Sequence, residues 1–202
     1  MTKLRVGVLI SGRGSNLQAL IDACADPSFP AEITLVISNV ANAGGLERAE
    51  KAGIQTITVA HGNFDSREAF DNAVDKKLRE ADIEFVCLAG FMRLLSTSFT
   101  KNWEGRIVNI HPSLLPAFKG LHVHQQALSA GVRFSGCTVH YVVPELDSGP
   151  IILQEEVPVE PNDTADTLAA RVLKAEHRIY PEALRMIAEN RVRLENGQTV
   201  FA

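Results

Sequence analysis

The sequence predicts an α/β protein, built on a twisted and mainly parallel sheet with helices on both faces and an antiparallel part near its carboxyl end. Three observations carry this. Apolar, β-branched runs alternate with helix-period segments through the first half of the chain. Those runs are nearly continuous in apolar residues, as strands covered on both faces require. Past residue 130 the spacing shortens to two strands joined by a tight turn. Residues 4–10 read as the first buried strand and 16–25 as a helix. A second strand over 32–38 precedes a helix from about 43 to 52, and 55–59 forms a third strand. An amphipathic helix over 67–81 leads to strands at 85–89 and 107–110. This βαβ alternation predicts a Rossmann-like, three-layer α/β/α arrangement. Residues 120–131, rich in His, Gln and Gly, read as a loop with a short helix. Strands at 138–143 and 151–159 are close enough to pair antiparallel across the 144–150 turn. Asp163 is placed to cap a long helix with Leu168, Val172 and Ile179 on its apolar side, and Pro181 to kink or interrupt it.

A chain of 202 residues, 46% hydrophobic, forms one domain with a substantial core. The net charge of -4 gives no basic footprint for nucleic acid, though it leaves local anion sites open. The amino-terminal apolar run is too short for a signal peptide, and no stretch approaches a membrane span, so a soluble cytoplasmic protein is expected. Cys24, Cys87 and Cys137 are scattered and odd in number, and read as core residues rather than a disulfide or zinc framework.

Two segments carry chemistry. Strand one runs into Ser11-Gly12-Arg13-Gly14-Ser15-Asn16-Leu17, where glycines admit an anion to the backbone and a helix start offers free N–H groups. Leu17 stands where a dinucleotide fingerprint needs its third glycine, and the second strand ends in Ser38-Asn39 rather than an acid. The Gly-Lys-Ser/Thr of a Walker loop is also missing. A phosphate monoester site fits better, with a plain strand-to-helix turn as the other reading. The second segment is Asn109-Ile110-His111-Pro112-Ser113-Leu114-Leu115-Pro116, followed by Asp147 in a Gly/Pro turn. Asn109 and His111 are two apart on a strand end and therefore face the same way. Singly, an asparagine can satisfy a strand end, a histidine a loop, and an aspartate a turn. Together they are the parts that move a carbonyl-level group between nucleophiles.

With residues 11–19, 88–93, 136–141, 145–150 and 176–181, these segments make the chain resemble the folate-dependent formyltransferases, in particular those acting on glycinamide ribonucleotide, over nearly its whole length. The resemblance implies the formyltransferase fold, with a phosphate-binding half about 1–100 and a folate-binding and catalytic half about 101–202. It implies direct transfer of formyl from 10-formyltetrahydrofolate to the primary amine of glycinamide ribonucleotide, through a tetrahedral oxyanion, in purine biosynthesis. By resemblance, Asn109 and protonated His111 hydrogen-bond that oxygen, while Asp147 orients His111 and helps move the amine proton. Gly14, Ser15 and Asn16 would hold the phosphate, and Glu176 the glycinamide and ribose portion. Met92, Arg93, Leu95, Asn109, Val142, Val143, Pro144, Glu145 and Asp147 would border the folate. His140 falls near the site, with a satisfied strand histidine as the alternative.

No metal is implied, no nucleic acid or membrane partner is expected, and either a monomer or a homodimer is compatible. The spacing of His122 and His124 suggests zinc only weakly. A 10-formyltetrahydrofolate deformylase shares the core but usually carries an added amino-terminal regulatory domain, whereas this chain opens on strand one. Formylation of initiator tRNA usually brings a further carboxyl-terminal domain. A non-catalytic folate or nucleotide binder is the alternative from a different class, and retention of the three catalytic residue types speaks against it. Arg13 and Ser148 occupy places where smaller residues also serve.

Overall fold

The computed structural model describes residues 2–202. Seven strands form one sheet: β1 (Leu4–Ile10), β2 (Ala31–Ser38), β3 (Gln55–Thr58), β4 (Phe85–Leu88), β5 (Ile107–His111), β6 (Phe134–Tyr141) and β7 (Ile151–Pro158). Their spatial order is β3-β2-β1-β4-β5-β6-β7. The pairings from β3 to β5 are parallel, and β6 and β7 are added antiparallel. The chain winds outward from β1 in one direction and from β4 in the other. The sheet therefore has its topological switch between these two strands, where open α/β sheets take ligands at the strands' carboxyl ends.

Two cores flank the sheet. Alternate residues of β1 face opposite sides: Val6, Val8 and Ile10 pack with helices α1 (Ser15–Cys24), α2 (Gly44–Lys51) and α6 (Ala165–Ala188), while Leu9 packs with α3 (Arg67–Glu80) and α4 (Thr97–Asn102). A short helix, α5 (Val123–Ser129), joins α6 on the first side. Cys87 and Cys137 are buried and Cys24 half-buried, all as free thiols within or against this core. The Tyr180 hydroxyl, fully buried on α6, donates 2.8 Å to the Leu88 carbonyl at the end of β4. Tyr180→Phe removes this bond between helix and sheet, and should cost about 1 kcal/mol of unfolding free energy in urea titrations.

Four features differ from the sequence expectation. Strand β6 starts at Phe134, four residues earlier than read. Gly136 looks like a breaker but is a close approach, since a Cβ there would lie 2.1 Å from the Glu155 carbonyl oxygen of β7. The cap of α6 is Thr164, not Asp163, with Thr164 and Thr167 satisfying each other's backbone N–H groups. Asp163 instead takes a forked pair of bonds from Arg171, which holds its carboxyl well below the usual range. Helix α6 also runs on through Pro181. Its apolar side buries ten residues, and that packing offsets the roughly 3 kcal/mol that an internal proline costs. Finally, α4 and the terminal hairpin of β8 (Val192–Glu195) and β9 (Gln198–Phe201) were not anticipated.

Candidate active site

A cleft of about 800 Å³ opens at the carboxyl ends of β4 and β5. Its walls come from residues 90–95, from the ends of β5 and β6, from the 142–147 turn and from the 120–124 loop. Every residue expected to border the folate lines it: Met92, Arg93, Leu95, Asn109, Val142, Val143, Pro144, Glu145 and Asp147. The walls are mostly apolar, with Leu88, Phe91, Leu121, Val123 and Leu146 added, and polar groups gather at one end. Met92, at 68% exposed, stands at the rim. The Arg93 guanidinium lies over the Phe70 ring at 5.1 Å, so part of its charge faces an aromatic rather than a carboxylate.

At the polar end, β5 presents Asn109 and His111 on one face, and the 142–150 turn swings Asp147 onto them. Register places Asn109 opposite His140 of β6. Nδ1–H of His140 donates to the Tyr141 carbonyl at 2.8 Å, which leaves Nε2 as an acceptor for the Asn109 amide 3.3 Å away. Burial pushes the His140 pKa down and keeps the ring neutral, as this arrangement needs. His140 is thus a satisfied strand histidine and a partner of the site at once. It turns the Asn109 amide so that one N–H remains for the cleft.

The His111 contacts are less direct than expected. Its Nδ1 lies 3.6 Å from Asp147 Oδ2, beyond hydrogen-bond length, and its Nε2 donates 2.9 Å to the Phe118 carbonyl. Asp147 Oδ2 accepts instead from the Gly120 N–H at 2.9 Å, while Oδ1 lies 4.0 Å from His140 Nε2. The side chains of His111 and Asp147 are only 7% and 8% exposed, so the pair is shielded from solvent screening. Lys119 also donates to Ser148 at 2.5 Å, so the 118–120 loop is tied to the aspartate turn at two neighbouring points.

Gly14, Ser15, Asn16 and Glu176 do not line this cleft. They form a second cradle at the end of the neighbouring strand β1. Gly14 adopts φ 73° as the N-cap of α1, and without a side chain it leaves the helix's first N–H groups uncapped. Free N–H groups of this kind at a helix start are suited to an anion. Two bonds lock the cradle to the cleft: the Ser11 N–H donates to Gly90 O at 3.2 Å, and Ser11 Oγ accepts from the Met92 N–H at 2.8 Å.

Glu176 is buried, not on the helix surface. Burial pushes its pKa up to about 7, an effect that the neighbouring Asn16 side chain partly offsets. Asn16 Oδ1 is itself buried without a donor, which a protonated Glu176 or a sugar hydroxyl can supply. In the unfolded chain this carboxyl titrates near the ordinary glutamate value, so between there and pH 7 the native state holds the extra proton. Stability therefore falls as pH rises through that window. Glu176→Gln removes the effect, and the stability gap should move in the variant's favour by on the order of 2–3 kcal/mol from pH 4.5 to 7.5 in parallel urea titrations.

Sequence reasoning missed the Phe118 carbonyl and Gly120 N–H, which are backbone groups without a side-chain signature. It also missed Asp71, a buried acid of α3 that accepts from the Ser96 N–H at 2.5 Å and so anchors the cleft-lining segment. Its neighbours Phe70 and Val74 mark the buried stripe into which it falls. Among the described residues, no group of three or more His, Cys, Asp or Glu is arranged to hold a metal ion, His122 and His124 included. No helix of the structure is long and apolar enough to cross a membrane.

A mainly parallel sheet with an amide and an imidazole at the carboxyl end of β5, a carboxylate swung onto them and an uncapped helix start after β1 has the parts of a group-transfer enzyme of the α/β class. The chain belongs to the formyl transferase family, whose model its residues 4–184 match. It is 48% identical to the phosphoribosylglycinamide formyltransferase of Escherichia coli (strain K12), over 96% of this chain and 92% of that one. The trifunctional purine biosynthetic protein adenosine-3 of Bos taurus is 56% identical over 97% of this chain, which spans about a fifth (20%) of that protein. Among solved structures, glycinamide ribonucleotide transformylase 1 from Symbiobacterium toebii superposes with a TM-score of 0.95 at 48% identity, covering 98% of this chain and 94% of that one.

Proposed function

We propose that this chain transfers the formyl group of 10-formyltetrahydrofolate to the primary amine of glycinamide ribonucleotide, giving N-formylglycinamide ribonucleotide and tetrahydrofolate in purine biosynthesis. The observation that carries this is the convergence of Asn109, His111 and Asp147 at the polar end of an apolar cleft, next to the cradle at the start of α1. The cleft's volume and apolar walls suit a flat heterocycle with an aromatic tail, and the backbone of 142–145 can meet a pterin edge.

In this reading Gly14, Ser15 and Asn16 hold the phosphate, and Glu176 receives the ribose and glycinamide. The neutral amine attacks the formyl carbon. The Asn109 N–H left free by His140 donates to the oxygen as negative charge gathers there, joined by an N–H of protonated His111. Phe118 must then release Nε2 to the oxyanion while Asp147 closes on Nδ1, and small movements of the 118–120 loop serve both. Asp147 stabilises the imidazolium and relays the amine proton through water towards the departing folate nitrogen. Bond formation from amine nitrogen to carbon is balanced by rupture of the bond from carbon to folate nitrogen, and no covalent enzyme species is needed.

The proposed setting is the cytoplasm, with a monomer or a homodimer as the working unit. The test is incubation with 10-formyltetrahydrofolate, with and without glycinamide ribonucleotide. Tetrahydrofolate release should match formylated ribonucleotide and depend on it. Release without the acceptor would instead mark a deformylase, which none of the relatives above is named as.

A further inference from the structure

The phosphate loop is held from behind by α2, a helix whose sequence carries no feature of the reaction. Gly45 on that helix sits so close to the loop that a Cβ there would lie 3.2 Å from the Gly14 Cα, and its N–H donates to Gly12 O at 3.0 Å. One turn along, Arg48 donates from Nε to the Arg13 carbonyl at 2.9 Å and from Nη1 to Gln18 Oε1 at 3.2 Å. No carboxylate pairs with its guanidinium among the described residues, whereas nearby Lys51 is paired with Glu47. Burial pushes the pKa of His177, beside Glu176, down, and the Arg48 charge adds to that shift.

In a trans peptide the C=O and the following N–H point in opposite directions. Both carbonyls in question, of Gly12 and Arg13, are drawn onto α2. The N–H groups of Arg13 and Gly14 are therefore turned the other way, towards the cradle at the start of α1. The left-handed conformation of Gly14 then continues the turn into the N–H groups of Ser15 and Asn16, a nest for an anion.

We propose that Arg48 is a positioning residue for the acceptor's phosphate: by pinning the Arg13 carbonyl it aims the Gly14 N–H into the cradle and makes the enzyme demand a phosphorylated acceptor. The proposal deepens the reading above and rests on it for the identity of the acceptor. The anion cradle itself can be probed without any turnover. Lysine at this position reaches the Arg13 carbonyl but cannot also hold Gln18, so Arg48→Lys keeps part of the effect and Arg48→Met none.

The experiment compares the parent, Arg48→Met and Arg48→Lys by isothermal titration with inorganic phosphate. Steady-state kinetics then use glycinamide ribonucleotide and the same acceptor lacking its phosphate. In Arg48→Met, phosphate affinity should fall and the acceptor KM rise about 10- to 100-fold, in line with the loss of a charged hydrogen bond. The loss should fall on the acceptor KM rather than on kcat or the folate KM. The preference for the phosphorylated acceptor should shrink by the same factor, and Arg48→Lys should lie between. Unchanged phosphate affinity in a folded variant overturns the proposal, as does an equal loss for both acceptors, the mark of general loop damage. Should Arg48→Met fail to fold, unchanged affinity in Arg48→Lys overturns it equally. If the parent turns over neither acceptor, the functional reading fails, while the phosphate titrations still decide the role of Arg48.

Discussion

Asp147→Asn should slow formyl transfer severely while both substrates remain bound. The carboxylate sits at φ 47° in the turn after β6, and its Oδ2 takes the Gly120 N–H. An asparagine keeps the shape, and its Oδ1 can keep that bond. What it loses is the negative charge 3.6 Å from His111 Nδ1 and the capacity to accept the amine's proton. Both losses fall on the transition state. The expected drop in single-turnover rate is about 10³-fold, within the span that positioned acid–base groups command. Dissociation constants for each substrate should move by less than a few-fold. A variant that loses folate affinity in proportion to rate would make Asp147 a binding residue instead.

Asn109→Ala is the second large effect. Its amide is turned by a neutral His140 so that one N–H faces the cleft, and the residue sits inside the sheet with Leu88 of β4 and His140 of β6 as its neighbours. Such a donor acts on the developing oxyanion rather than on the ground-state carbonyl, so its removal should lower kcat by about 10²- to 10³-fold with little change in either KM. Combining it with Asp147→Asn should cost far less than the product of the single losses, because the groups act as a unit. Steady-state kinetics on the two single variants and the double variant check this. Independent, multiplying losses would break the proposed division of labour.

The parts legible in the sequence are those whose physics is local. Strands β1, β2, β4 and β5 show as apolar runs because a parallel sheet covered on both faces leaves little polar alternation, while the edge strand β3 shows through its β-branched Thr-Ile-Thr. Asn109 and His111 show as a pair because strand side chains repeat every second residue and Pro112 ends the run. The uncapped start of α1 shows through its glycines. Glu176 had a signal too, since it falls in the stripe of Val172 and Ile179 on α6, and spacing alone places it inside. Other features depend on distant partners. Helix α4 has only six residues, too few to display a period, and its capping Ser96 is tied to Asp71, 25 residues away. The Arg48 contact with the Arg13 carbonyl spans 35 residues and ends on a backbone atom. The Phe118 carbonyl on His111 likewise has no residue type to announce it.

The most direct test of direct transfer is a rapid-quench single turnover with donor labelled in its formyl carbon, and with the protein in excess. The label should pass to the ribonucleotide amine at the rate tetrahydrofolate appears, with none in formate and none on the protein at any time. Label that appears first in formate, or on the protein, would contradict direct transfer by Asn109, His111 and Asp147.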